Sequence, residues 1–136
     1  MTKIENPFSE KELHTIKCGI SYIVEGIEWY YDQKLDDDSD LDEEGLIYHR
    51  EKIETLKRIL DFFKNLLPIA KNKKVKQVFF YPDQQFMYVN AEYISNGIDR
   101  VREYLKDDWC YLSNKEKRKF SLVCDLLLIF DRKFHS

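Results

Sequence analysis

Apolar residues recur at steps of three and four over three long stretches of the chain, the spacing that lines one face of an α-helix. Leu13, Ile16, Ile20, Ile23, Ile27 and Tyr30 form the first seam. Leu46, His49, Ile53, Leu56, Leu60, Phe63 and Leu67 form the second, and Phe120, Val123, Leu127, Phe130 and Phe134 the last. Two starts are marked by capping chemistry. Ser9 is placed to cap a helix whose Glu12 reaches back, with Phe8 stapling onto Leu13, and Ser113 with Glu116 repeats the capping pair before the last seam. The first helix is therefore predicted from Ser9 to about Gln33. The second is predicted to end or kink at Pro68, whose ring and missing N–H disrupt a helix interior.

Residues 69–90 support two patterns. Val75 to Tyr81 and Phe86 to Val89, on either side of Pro82-Asp83-Gln84-Gln85, have the composition of a short β-hairpin around residues 75–90. Alternatively Pro82 opens a helix, since Met87, Ile94, Ile98, Val101 and Leu105 then share one face; helix is the preferred reading. The expected fold class is all-α: a compact helical bundle of about four main helices, opened by an antiparallel helical hairpin and forming a single helical domain over 1–136. Gly19 and Gly26 lie seven apart beside the first seam, where each costs an isolated helix about 1 kcal/mol relative to Ala, so a close helix crossing is expected there.

Composition narrows the class without naming a function. A hydrophobic content of 43% with 15% aromatics in 136 residues is enough for a folded core and argues against disorder. Net charge is −3, but residues 1–68 carry 9 basic and 16 acidic side chains against 13 and 9 in residues 69–136. Cys18, Cys110 and Cys124 are odd in number and lack CxxC or CxxH spacing, so neither a disulfide framework nor a zinc site is indicated. No basic stretch followed by an apolar one opens the chain and no run approaches a membrane span, so a cytoplasmic protein without membrane contact is expected.

The sharpest break in composition is the joint between the first two seams, where Asp36, Asp37, Asp38, Asp40, Asp42, Glu43 and Glu44 make seven acids in nine residues. Such a run suits a basic partner or a cation. Asp40, Asp42, Glu44 and Glu51, with Gly45 and Ile47 at the turn and buried positions, resemble a twelve-residue calcium loop, with Glu44 where Asp or Asn is usual. Paired carboxylates Glu25/Glu28 and Glu51/Glu54 have the look of metal-dependent nucleotide chemistry, but helical numbering puts them on outward faces where they cannot converge. His49 sits in the second seam, where a satisfied core histidine is the ordinary reading, and His14 with Cys18 gives two metal donors without a third. No nucleophile motif or phosphate loop occurs, so no catalytic residues and no cofactors are expected.

Two basic clusters, Lys71, Lys73, Lys74 and Lys76, and Lys115, Lys117, Arg118 and Lys119, lie near Phe79, Phe80, Tyr81, Trp109 and Tyr111. Cations beside aromatics are the pattern of nucleic-acid contact. The second cluster also opposes the dipole of the helix it begins. Tyr22 and Trp29, seven apart on the flank of the first seam, are core residues if covered and interface anchors if exposed. The leading expectation is a small non-enzymatic protein-interaction module, of inhibitor, regulator or immunity type, that binds a partner with a basic surface through the acidic joint with Tyr22 and Trp29. A nucleic-acid-binding regulator using the two basic clusters is the alternative, with a calcium-binding or metal-dependent nucleotide-processing protein behind it.

Overall fold

Helix α1 (Glu10–Cys18) starts where the capping box placed it: the Glu12 N–H donates to Ser9 Oγ at 3.1 Å, and the Ser9 N–H donates to the Glu12 carboxylate at 2.8 Å. The same reciprocal pair, Ser113 with Glu116, opens the last helix. The structure, a computed structural model, describes residues 7–35 and 42–135. Along these run α2 (Ile20–Leu35), α3 (Glu43–Ala70), α4 (Val75–Val78), α5 (Tyr81–Val89), α6 (Ala91–Asp107) and α7 (Asn114–Phe134), with a 3₁₀ turn over Trp109–Tyr111. Among the described residues the structure is all-helical, with no strand.

Helices α2 and α3 pack against each other as antiparallel neighbours: Lys52 lies over the Tyr30 ring near the end of α2, while Leu67 and Ala70 meet Ile20 and Ser21 at its start. On its other side α2 packs on α6, which in turn packs on α7; α1 lies against α4 and α7. Ile16, Ile23, Ile27, Leu56, Ile59, Phe63, Met87, Ile94 and Phe130 are fully buried where these helices meet. Each such side chain contributes roughly 1.5–3 kcal/mol by leaving water, which is what holds together helices too short to persist alone.

The crossing of α2 and α6 is the tightest in the molecule. A methyl group on Gly26 would fall into the carbonyl of Gly97, with the carbonyl carbon at 2.7 Å and the Ile98 nitrogen at 3.1 Å. A methyl group on Gly97 would meet Ile27 Cγ1 at 3.0 Å and the Gly26 carbonyl carbon at 3.2 Å. The two backbones are in direct contact, a packing that requires glycine at 26 and leaves little room for a side chain at 97. Gly26 was read correctly as a crossing residue; its partner Gly97 carries no periodic signal of its own.

Several expectations change. The first helix is divided at Gly19, whose N–H bonds to the Ile16 and Thr15 carbonyls and whose Cα faces Leu126, with Leu126 Cγ at 3.2 Å from a methyl placed there. Residues 75–90 form no hairpin: α4 and α5 occupy them, with Phe79 and Phe80 between. The face shared by Met87, Ile94, Ile98, Val101 and Leu105 is buried as expected, but it spans two helices because the Asn90 side chain donates to the Phe86 carbonyl at 2.9 Å and competes with the backbone. Among the described residues there are seven α-helices, against the about four main helices expected from the pattern. Helix α3 passes through Pro68 to Ala70, so the proline removes one N–H bond but ends the helix only two residues later. Its first turns extend past the core: burial begins at Leu56, while His49 and Ile53 are only half-buried. In α7 Leu126 takes the buried position expected of Leu127, and Phe134 is exposed.

Gly26→Ala is predicted to destabilise the protein by about 1–3 kcal/mol despite the higher helix propensity of alanine, because the obstacle is backbone. Gly19→Ala meets a side chain that can rotate and should cost less. Urea unfolding of the two variants measures the difference; a Gly26→Ala protein as stable as the wild type would contradict the crossing.

Candidate functional site

Beyond the Gly26–Gly97 contact α2 and α6 run on in the same general direction, since Trp29 meets Tyr104 and Gln33 meets Arg100 further along both helices. Between them opens a cleft of about 720 Å³ lined by Trp29, Asp32, Gln33, Asp99, Arg100, Glu103 and Tyr104. Trp29 is 43% and Tyr104 52% exposed, and their rings meet edge to face at 5.3 Å. Large aromatics left half in water and held against each other are pre-ordered contact area, the usual form of an interface anchor.

Arg100, the cation lining this cleft, and nearby Arg102 are already engaged. Arg100 stacks 3.9 Å over the Tyr30 ring while its Nε donates to Gln33 Oε1 at 2.8 Å and its Nη1 to the Asn96 carbonyl at 2.7 Å. Arg102 pairs with Asp99 at 2.6 Å and with Glu103 at 2.9 Å. Asp32 has no ion-pair partner among the described residues, so the cleft presents aromatic surface and acceptor oxygens. Beside it, a hydrogen bond to Tyr30 holds the Lys52 ammonium above the ordinary lysine pKa, against the opposing pull of burial; burial in turn raises the Tyr93 phenol.

The acidic joint adjoins this end of α2. Asp42 Oδ1 accepts the Gly45 N–H at 2.7 Å and caps α3, while Glu43 and Glu44 stand exposed in its first turn, where acids complement the helix dipole. Asp36, Asp37, Asp38 and Asp40 lie outside the described residues. A calcium loop would require Glu44 and Glu51 to converge with Asp40 and Asp42, yet both glutamates stand on the continuous helix α3. Among the described residues no group of three metal-donating side chains gathers, including His14 with Cys18. Of the paired carboxylates, Glu25 bonds to Lys119 at 2.9 Å and Glu28 to Lys64 at 3.0 Å, whereas Glu51 and Glu54 face solvent on α3.

Tyr22 does not join Trp29. It packs against the core with the Lys119 ammonium 5.0 Å over its ring, so of the two aromatics only Trp29 reaches the exposed cleft. The second basic cluster is similarly drawn inward in part: Lys119 serves Glu25 and Tyr22, and Lys117 lies 5.4 Å over Trp109, whose ring meets Phe120 at 5.1 Å. These contacts offset the cost of cations at the start of α7. Lys115 and Arg118 remain exposed. Lys71, Lys73, Lys74 and Lys76 stay at the surface and face α1 across an open cleft of about 820 Å³.

Sequence reasoning missed Tyr104, Asp99 and Glu103, which become neighbours of Trp29 only through the α2–α6 crossing. It also missed Gln84. That side chain is 9% exposed, and its Oε1 has no hydrogen-bond partner among the described residues, while Nε2 donates weakly to the Phe79 carbonyl at 3.5 Å. Compared with known proteins, the chain matches no family, no curated protein and no solved structure. Among the described residues no helix is long and apolar enough to cross a membrane.

An unpaired buried acceptor costs on the order of 1–3 kcal/mol. Gln84→Met keeps the shape and removes the group, so the melting temperature should rise by several degrees, on the usual conversion for a chain of this size. A fall in melting temperature would show that Gln84 is satisfied in the free protein.

Proposed function

We propose that the chain is a protein-interaction module, an inhibitor or regulator without catalysis of its own, that binds a partner with a basic surface at the cleft between α2 and α6 and along the adjacent acidic joint. The observation that carries this reading is the Trp29–Tyr104 pair, half-exposed, mutually stacked and surrounded by Asp32, Gln33, Asp99 and Glu103. Aromatic anchors supply affinity through desolvated area; acids around them supply association rate and choice of partner. Leu35, Ile47 and Tyr48, all exposed near the joint, extend the apolar area available at this end.

The components have separate expected roles. Trp29 and Tyr104 insert into the partner. Asp32 and the acids of the joint, from Asp36 to Glu44, face its cations. The network of Arg100, Gln33 and Tyr30 holds the two helices at a fixed separation, so that the anchors are ordered before binding. This arrangement makes no demand for a cofactor or a metal.

Trp29→Ala combined with Tyr104→Ala is expected to abolish stoichiometric capture of a partner from host lysate while leaving the helical circular-dichroism spectrum intact. Replacing Asp36, Asp37, Asp38 and Asp40 by Asn should instead slow association and flatten its salt dependence, with slower dissociation unaffected. Capture that survives the aromatic double variant would remove the cleft from the interface.

A further inference from the structure

A second surface has the opposite character. Lys71, Lys73, Lys74 and Lys76, which follow α3 and enter α4, are joined across an open cleft of about 820 Å³ by Lys17 and His14 of α1. The carboxylate of Glu10 is the one acidic group lining this cleft among the described residues. Lys17 and Lys71 stand at the C-terminal ends of α1 and α3, where a cation complements the helix dipole, so their positions are explained by the fold. Lys73, Lys74 and Lys76 have no such explanation and no ion-pair partner among the described residues. Like charges gathered without partners repel one another, an arrangement stabilised when a polyanion neutralises them.

The cleft continues past Glu10, Val75 and Lys76 into a groove of about 540 Å³ lined by Phe79, Phe80, Tyr81 and Gln84. Its chemistry changes along its length from cationic to aromatic. Phe80 is 61% exposed although its neighbour Phe79 is buried, which leaves a bare ring at the edge of the groove. The buried side chain of Gln84 lines the same groove and carries the single unpartnered buried side-chain oxygen among the described residues. Asp83, the nearby acid, is engaged by the Phe80 N–H at 3.1 Å.

We propose that this groove binds single-stranded nucleic acid, with the phosphate backbone along Lys17, Lys71, Lys73, Lys74 and Lys76 and a base stacked on Phe80. Three features support this occupant, and the exposed ring favours it over an acidic polypeptide. Five lysines line one cleft with a single acid among them, which suits a chain with a charge at every residue. The exposed ring adjoins the basic end, and base–aromatic stacking is the sequence-tolerant complement of phosphate contact. The unpartnered Gln84 oxygen is an acceptor that a base amino group can satisfy. The site is separate from the α2–α6 cleft: from Lys52, beside Tyr30, to Lys71 the helix α3 covers roughly 28 Å at 1.5 Å per residue.

Fluorescence anisotropy with labelled single strands of about ten nucleotides, DNA and RNA in separate arms, tests the proposal. The wild type should bind either strand with a logarithmic salt slope of up to about −3.5, for five lysines at about 0.7 each. Lys73→Gln, Lys74→Gln and Lys76→Gln together should reduce the slope to about −1.5, and Phe80→Ala should weaken binding about tenfold with the slope unchanged. Lys115→Gln and Arg118→Gln should leave binding intact. All these residues are at the surface, so the variants should keep their helical spectrum. Absence of binding at low salt, equal affinity for duplex and indifference to Phe80→Ala, or displacement by poly-glutamate at equal charge concentration would each overturn the assignment. The last result would identify the groove as a dock for acidic protein, a second copy of this chain included.

Discussion

Everything in this molecule is arranged around a place where two helices have no side chains between them. At Gly26 and Gly97 the backbones of α2 and α6 touch: a Cβ at 26 would collide with backbone, and one at 97 would be tight against Ile27 and the Gly26 carbonyl carbon. That contact fixes the angle and depth at which α6 lies on α2. The other long helices build onto this pair, α3 packing on α2 and α7 on α6. Close approach of two glycine-bearing helices also converts the intrinsic helical weakness of glycine into a gain, since neighbouring Ile23, Ile27, Ile94 and Ile98 can then bury completely.

The same contact makes the aromatic cleft. Helices in contact at one point and inclined to each other leave a wedge of space further along, and here the wedge is closed at its base by the Arg100–Gln33 hydrogen bond and edged by Trp29 and Tyr104. The cation lining the wedge is spent on structure, Arg100 on Tyr30 and Asn96, and nearby Arg102 is held by two carboxylates. At the far end of α3 the situation is reversed, since lysines gather with little opposing charge. The excess negative charge of residues 1–68 is that of the joint itself, since its seven acids leave nine acidic and nine basic side chains in the rest of that half.

How far the sequence revealed this depends on whether a feature is local. Capping boxes at Ser9 and Ser113 need only four consecutive residues, and both helix starts were legible. Burial of Ile16, Ile23 and Ile27 was legible from spacing. The division of helices at Gly19 and Asn90 was not, because an unbroken apolar period is compatible with a bend whenever the seam on both sides faces one core. The run Val75–Tyr81 has the composition of a strand, yet Val75, Val78 and Phe79 are buried from a short helix, where tertiary packing overrides propensity. Of the candidate site, Trp29 was visible as an aromatic on a flank. Its partner Tyr104 lies 75 positions away in the sequence, and nothing short of the helix crossing brings the two together. His14 and Lys17 joined the lysines of 71–76 for the same reason.

The central claim is that α2 and α6 meet backbone to backbone, and nuclear Overhauser contacts in the labelled protein test it most directly. The account predicts strong cross-peaks between the Hα protons of Gly26 and Gly97 and from Gly26 Hα to the Ile98 amide, together with ring contacts between Trp29 and Tyr104. A well-dispersed helical spectrum in which the Gly26 protons instead contact side chains of another helix would contradict the crossing, and with it the cleft.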